Sequence, residues 1–325
     1  MIRYLLRRIV YGFLILLGVN LLTFLIFFAV NTPDDMARIA IGGKYVFAEA
    51  IADWKHVHGY DKPLIWNGSA PGTEKVTKTI FWERSVPLLR MDFGTSDRGR
   101  SINKEIADRA WPSLALALPT FLLGVIAMTS LALLIVLFRR TRLESGGLVG
   151  CVILMSISSL FYIIVGQWLF ARLMKLVPIS GYANGWHAAV FLILPVAIGV
   201  LSRMGSDTLL YRTMFLEEIG KDYVRTARAK GMPESRILFL HVLRNASLPI
   251  ITSTVAVIPL LFMGSLVMES FFGIPGLGSY TIDAINDQDF SIVRATDFLG
   301  TALYILGLIL TDIAYTVADP RVRLS

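Results

Sequence analysis

A run of 22 residues without a charge, from Ile9 to Val30, limits most strongly what this chain can be. Arg3, Arg7 and Arg8 precede it. A helix of about 20 apolar residues crosses the hydrocarbon core of a bilayer. The run is longer than the apolar part of a signal peptide, and residues 31–35 offer no small-residue cleavage site. We therefore expect an uncleaved first membrane helix.

Five further apolar segments predict an all-α polytopic membrane protein with six transmembrane helices. The chain is 55% hydrophobic, which is too apolar for an ordinary soluble domain. The net charge of +7 does not indicate nucleic-acid binding, because the basic residues lie between apolar runs and not on one face of a soluble fold. The predicted spans are residues 9–30, 113–138, 147–171, 187–209, 248–270 and 296–318.

Few ionisable residues fall near or inside these spans. Arg203 and Asp207 limit the end of the fourth span, which also contains Pro195. Glu269 ends the fifth span, where we expect it at the membrane interface. Asp312 lies inside the last span, and we expect it to form a structural ion pair. The candidate partners of Asp312 are Arg321, Arg323 and an amino-terminal arginine.

The distribution of Lys and Arg predicts the orientation. The segments that would face the cytoplasm carry sixteen basic residues, whereas the short outer loops carry three. Cytoplasmic loops hold the excess of basic residues, so both termini are expected to be cytoplasmic. The predicted divisions are the amino-terminal tail and first helix at 1–30, a sizeable extracytoplasmic segment at 31–112, a core of five helices at 113–318 that contains the cytoplasmic loop 202–247, and a cytoplasmic tail at 319–325.

The sequence contains no motif of an active site. Residues 42–45, Gly-Gly-Lys-Tyr, lack the first glycine and the hydroxyl residue of a phosphate-binding loop, so the chain itself is not expected to hydrolyse ATP. His56 and His58 have no neighbouring ligands to complete a metal site, and the single Cys151 lies in an apolar run. We predict no catalytic, cofactor-binding or metal-binding residues.

A basic stretch at residues 222–249 interrupts the apolar segments. Residues 221–230 have an amphipathic pattern that predicts a helix. Gly231 can end that helix in the left-handed conformation, and Pro233 suits the first turn of the next one. The small residues at 227, 229 and 231 would let another surface approach closely. A charged loop alone would not require these residues at these places.

The same stretch resembles the EAA loop of ABC importer permeases, specifically the dipeptide and oligopeptide permease group. Arg225-Thr226-Ala227 stands in the place of Glu-Ala-Ala, and residues 228–230 form the spacer before Gly231. Arg in place of Glu departs from the general motif, whereas the sequence YVRTARAKG resembles the peptide group closely. Leu248-Pro249 follows farther from the glycine than in the general motif, as it does in that group.

Further motifs carry the resemblance along nearly the whole chain. The Trp66–Phe81 region fits the group less well. The matching motifs are RYLLRR before the first span, GYDKP at 59–63, DFGTS at 92–96, LVPISGY at 176–182, GIPGLGSYTIDAI at 273–285 and the closing ADPRVRL.

The resemblance implies a type I ABC importer permease fold in a bacterial cytoplasmic (inner) membrane. It implies a non-catalytic subunit that works with a second homologous permease, two ATPase subunits that bind ATP and Mg, and an extracytoplasmic solute-binding protein. Peptides are the implied substrate, with nickel complexes, oligosaccharides, glutathione or antimicrobial peptides as alternatives. The residues implied to couple to the ATPase are Tyr223, Arg225, Thr226, Ala227, Ala229, Lys230, Gly231 and Pro233.

Two other classes of protein stay open at this point. A secondary transporter would need ionisable coupling groups inside the spans, which this sequence mostly lacks. A membrane scaffold without transport would leave the glycine corner at Gly231 unexplained. A requirement for ATP and an ATPase partner would separate the three classes.

Overall fold

The computed structural model describes residues 2–42, 46–183, 185–255 and 257–318, and these residues are largely helical. Within them the only extended pairing is an isolated bridge between Thr95 and Ser101. The α-helices are α1 Ile2–Val30, α2 Pro33–Ile41, α3 Ala48–His58, α4 Glu74–Thr77, α5 Ile80–Ser85, α6 Ile102–Leu137, α7 Arg142–Ser156, α8 Ser159–Gly166, α9 Ala188–Ile219, α10 Asp222–Ala229, α11 Glu234–Ile237, α12 Leu243–Val255, α13 Leu266–Phe272, α14 Leu277–Asn286 and α15 Phe290–Ala318.

Four helices of the described chain are long and apolar enough to cross a membrane, within α1, α6, α9 and α15. Two bent pairs bring the number of candidate spans up to six if each pair is one span. In the first pair Arg142–Ser156 meets Ser159–Leu173 at 89°, and in the second Ile258–Phe272 meets Leu277–Asn286 at 66°. The prediction of an all-α polytopic membrane protein is therefore confirmed.

The third and fifth predicted spans are not straight helices, which corrects the sequence prediction. The third breaks after Ser156, because Ile157 is extended and the Ser158 side chain caps a new helix at the N–H of Phe161. The fifth divides into α12, a 3-10 segment at Ile258–Met263, and α13. Apolar composition alone does not reveal these breaks.

The fourth predicted span is longer than expected. α9 continues through Arg203 and Asp207 as far as Ile219, with Pro195 inside it. Arg203 and Asp207 form an ion pair across one turn, with 2.9 Å between Nη2 and Oδ2. The charged residues thus pair with each other along the helix and do not end it.

The described residues within 2–105, together with residues 287–305, form one compact unit. Its core is rich in aromatic side chains, and the guanidinium of Arg294 is buried among them. Nη2 of Arg294 donates to Ser85 Oγ at 2.6 Å, and the guanidinium lies 5.5 Å from the ring centre of Phe24. These contacts tie α15 to the end of α5 and to α1.

The described residues within 106–286 and 306–318 form the second compact unit, which contains the basic stretch. One apolar cluster lies beneath α10. A second cluster packs α8 and α9 against α13. The cluster beneath α10, called here the α10 cluster, includes Met128, Leu133, Phe215, Val224, Ala227, Ile237 and Val242. The second includes Leu116, Ile163, Leu194, Ile198, Met268 and Phe272.

Candidate functional site

The helix expected at residues 221–230 is present as α10, Asp222–Ala229. Val224 and Ala227 face inward and are buried in the α10 cluster. Arg225 and Arg228 are exposed on the other side. The apolar side chains recur at a spacing of three residues and fix one face, so the basic side chains project away from the chain's own core.

Gly231 forms the corner after α10. Its φ is +78°, and a Cβ placed there would meet no atom within 4 Å. The N–H of Gly231 donates to the carbonyl of Arg228 at 2.9 Å, and the N–H of Met232 donates to that of Ala227 at 3.3 Å. This pair of bonds is a Schellman motif, in which glycine supplies the left-handed residue at no steric cost. The prediction of a glycine corner is confirmed.

The next helix begins at the residue expected, with a small difference at its start. Pro233 has an extended backbone and is the N-cap of α11, so the first helical residue is Glu234. Arg228 reaches across the corner to Glu234. The Nε–Oε1 distance is 2.6 Å and the Nη2–Oε2 distance is 3.2 Å. This bidentate contact links the helices on either side of Gly231, α10 and α11.

A buried carboxylate holds the other end of α10. Glu218, at the end of α9, accepts hydrogen bonds from Lys221 Nζ and from the hydroxyl of Tyr223. Burial, together with this bond to Glu218, raises the pKa of Tyr223 to about 12. Tyr223 therefore stays protonated and keeps donating at physiological pH. The joint between α9 and α10 is fixed by side chains as well as by the backbone.

The structure separates the predicted coupling residues into two groups. The exposed group is Arg225, Thr226, Ala229, Lys230, Gly231 and Pro233. Tyr223 is half-buried, and Ala227 is only 6% exposed. The expectation that another surface approaches at residue 227 is therefore wrong, because that position is filled by the α10 cluster. Its small size serves packing within this chain.

Sequence reasoning missed three residues that hold the corner in place: Glu218, Arg228 and Glu234. Glu218 and Lys221 are three residues apart, a spacing at which side chains can meet, so their contact could have been expected. The contact of Glu218 with Tyr223 depends on the joint between α9 and α10, which the local spacing does not indicate. Nothing local indicated that Arg228 would pair with Glu234, because the pair depends on the direction that the chain takes at Gly231.

A cavity of about 500 Å³ lies in the second compact unit, among α6, α8, α9, the Ile258–Met263 segment and α13. Its lining is mostly apolar, with polar side chains that include Thr120, Ser202 and Thr254. Among the described residues of the lining, only Arg203 and Asp207 are charged. The cavity has the size and the chemistry of a site for a small organic molecule.

Two further sequence predictions concern metal-binding residues and the ion pair of Asp312. No group of three or more side chains that could hold a metal ion occurs among the residues that the structure describes. Arg321 and Arg323, two predicted partners of Asp312, lie outside the described residues. Residues 43–45 of the Gly-Gly-Lys-Tyr segment also lie outside them. The ion pair of Asp312 therefore stays a prediction.

Comparison with known proteins identifies the family. Residues 109–324 match the family described as binding-protein-dependent transport system inner membrane component, and residues 1–70 match the corresponding amino-terminal family. The dipeptide transport system permease protein of Bacillus subtilis (strain 168) is 31% identical over 248 residues, 75% of this chain and 78% of that protein. The glutathione transport system permease protein of Salmonella choleraesuis (strain SC-B67) is 29% identical over 324 residues, 99% of each chain.

These matches cover the basic stretch, the cavity and the candidate spans, and they confirm the resemblance inferred from the sequence. The chain belongs to the family of binding-protein-dependent transport system inner membrane components, the permeases of ABC importers, and it is a multi-pass protein of the inner membrane.

Proposed function

We propose that this chain is one of two permease subunits of an ATP-driven importer of peptides. The family assignment and the two relatives support this proposal, since one is named for dipeptide transport and the other for glutathione, which is itself a tripeptide. A solute-binding protein outside the membrane would deliver the substrate. The second permease would complete the pathway, and two ATPase subunits would bind ATP and Mg.

The coupling role is supported by the α10 corner, defined here as α10, Gly231 and the start of α11. This corner has one buried face and one exposed face. Its inner face is anchored in the α10 cluster, whereas Arg225, Ala229, Lys230 and Gly231 are exposed on its outer face. A short helix with an anchored base and a free, basic outer face suits insertion into a groove of a partner. In this proposal residues 219–240 occupy a groove of the ATPase and transmit its motion.

The cavity lined by Arg203 and Asp207 would form this chain's share of the solute pathway. ATP binding would draw the ATPases together and rock the two permeases between inward-open and outward-open states. Both termini and residues 202–247 would face the cytoplasm, and residues 31–112 would lie outside, in agreement with the basic-residue distribution.

Uptake by the reconstituted importer tests the proposal. Vesicles that contain this chain, its second permease and both ATPases should accumulate a labelled dipeptide when the binding protein is outside and ATP is at the ATPase face. Vanadate should abolish uptake, and an ionophore that collapses ion gradients should not. Uptake that survives without ATP but follows an ion gradient would show a secondary transporter and overturn the proposal.

Glutathione is the second candidate substrate, because its permease in Salmonella choleraesuis aligns with this chain over 99% of both sequences. The same vesicles distinguish the two substrates. Each solute-binding protein whose gene lies near the gene of this chain would be tested with labelled dipeptides and labelled glutathione. Accumulation of glutathione alone would change the substrate and leave the class of transporter unchanged.

A further inference from the structure

Glu269 is a fully buried carboxylate, 0% exposed, at a bend in the wall of the cavity. It lies in α13, which meets α14 after the break at residues 273–276. The first turn of α13 lines the cavity through Ser265, Val267 and Met268. The direction of α13 therefore decides where this part of the wall lies.

The carboxylate of Glu269 gathers donors from both helices of the bend. Oε1 accepts from the N–H of Ser265 at 3.1 Å, and Oε2 accepts from the N–H of Ser279 at 3.0 Å. The N–H of Gly278 and the hydroxyl of Ser113 also hydrogen-bond to the carboxylate. The first turns of α13 and α14 thus share one anion, which suits the positive ends of their backbone dipoles.

Ser113 extends this network to a third helix, α6. Its Oγ accepts from the N–H of Leu277 at 2.7 Å, so one hydroxyl joins both the carboxylate and the start of α14. Ser113 is itself fully buried, and it lies 164 residues from Leu277 in the sequence. The network therefore fixes the bend against α6, which lines the same cavity.

Two glycines leave room for the carboxylate. A Cβ at Gly264 would lie 1.8 Å from Oε1 of Glu269, and a Cβ at Gly276 would lie 2.3 Å from Oε2. The same added atom at Gly276 would lie 2.4 Å from Oγ of Ser113. Because all these distances are far below van der Waals contact, any larger residue displaces the network.

We propose that Glu269 is a positioning residue for transport, which holds the cavity wall formed by α13 through the network with Ser113, Gly264, Gly276 and Ser279. This inference rests on the proposed function, in which the cavity is part of the solute pathway. Glu269 does not itself contact the solute. Displacing its carboxylate moves the wall, so the ATPases continue to turn over while solute passage fails.

The test compares Glu269→Gln and Gly276→Ala in the complete importer, with Gly150→Ala as the matched control. Gln keeps the shape of Glu but turns an amide NH₂ toward backbone donors, and Gly276→Ala displaces the carboxylate without changing it. Gly150 is a glycine of α7 whose added Cβ would meet nothing within 4 Å. The measurements are the amount of assembled complex, peptide uptake per complex, and stimulation of ATP hydrolysis by the loaded binding protein.

We expect uptake per complex to fall at least about tenfold in both variants, as for a buried donor left without its acceptor. Stimulated ATP hydrolysis per complex should stay at the level of the Gly150→Ala control. Uptake per complex equal to the control in both variants overturns the proposal. A parallel fall of uptake and ATP hydrolysis also overturns it, since that result places the effect on coupling.

Ser113→Ala is a third variant for the case in which the first two do not assemble. It removes one donor to the carboxylate and the acceptor of the Leu277 N–H, and it leaves the carboxylate with its backbone partners. Ser113→Ala should therefore assemble and lose uptake in the same selective way. Failure of all three variants to assemble would show a role in folding only and contradict the proposal. Failure of the proposed function is seen separately, in wild-type importer that hydrolyses ATP but transports no peptide.

Discussion

Ala227 and Ala229 lie two residues apart on α10 and meet opposite surroundings. Ala227 packs in the α10 cluster, whereas Ala229 is exposed at the end of the helix beside the Gly231 corner. The same small side chain therefore serves two purposes. At residue 227 it lets α10 approach the chain's own core, and at residue 229 it leaves space outside the chain.

The two alanines predict opposite results for one substitution. Ala229→Trp should leave the permease folded and inserted but weaken retention of the ATPases and abolish uptake, because the added ring occupies the outer face. Ala227→Trp should instead lower the amount of inserted chain, since overpacking a core costs about 1–3 kcal/mol. Membrane levels and co-purification of the ATPases measure the difference. Normal uptake by the Ala229→Trp importer would contradict the assigned role of this face.

Gly231 predicts a backbone effect that side-chain size does not explain. An Ala at this positive φ costs about 1 kcal/mol, although its Cβ has open space. Gly231→Ala should therefore insert normally but reduce uptake and substrate-stimulated ATP hydrolysis, because the direction of α11 changes. Gly231→Asn should retain more activity, since Asn tolerates the left-handed conformation better than Ala. Equal activity of the two variants would argue against control by φ.

The pair of Arg228 with Glu234 predicts a coupling effect larger than its effect on stability. Both side chains are partly exposed, so the pair should contribute only about 0.2–1 kcal/mol to the free energy of unfolding. Arg228→Lys keeps the charge but cannot make the two-pronged contact with the carboxylate. A double-mutant cycle of Arg228→Lys with Glu234→Gln should show that the two changes are not additive for uptake. Additive losses would mean that the residues act separately.

Tyr223 predicts a defined pH dependence. Its folded pKa of about 12 lies above the ordinary value of 10.0, so the folded chain holds this proton more tightly than the unfolded chain. The stabilisation is fully present below pH 10 and is lost as the pH rises through about 12. Tyr223→Phe should remove the bond to Glu218 and cost about 1 kcal/mol. The difference in thermal stability between wild type and variant should be constant at neutral pH and shrink only in strong alkali.

The proposed topology predicts which introduced cysteines can be labelled from outside. Both Ser69 and Ser235 are exposed in the structure, so access depends on the side of the membrane. In a chain whose buried Cys151 is replaced by Ala, cysteine at Ser69 should react with an impermeant thiol reagent in intact cells. Cysteine at Ser235 should react only after the inner membrane is opened and the ATPases are removed. Labelling of Ser235→Cys from outside would reverse the assigned orientation.

The sequence predicted the α10 corner well because its causes are local. An amphipathic repeat, Gly231 and Pro233 determine the helix, its end and the next helix within a dozen residues. The inward position of Ala227 was not predictable, because a small residue suits a packed core as well as a docking face. The other members of the α10 cluster come mainly from α6, α9, α11 and α12, which are distant from Ala227 in the sequence or follow the corner at Gly231.

The breaks in the spans were not predictable from hydropathy for a similar reason. Ser158 and Ser265 cap new helices inside apolar segments, and a count of apolar residues treats them as minor interruptions. The burial of Glu269 depends on Ser113, which is 156 positions earlier in the numbering. Only the assembled helices bring these groups together.

The length of α9 has a mechanical consequence. Its 32 residues form one continuous helix, about 48 Å long at 1.5 Å per residue. It carries Pro195, Gly199 and Arg203 beside the cavity and ends at the joint with α10. A tilt of about 10° in a rod of this length displaces one end relative to the other by about 8 Å. In the proposed importer, a small rotation imposed at α10 would therefore be enough to open or close a passage the width of a peptide, with no need for any helix to unwind.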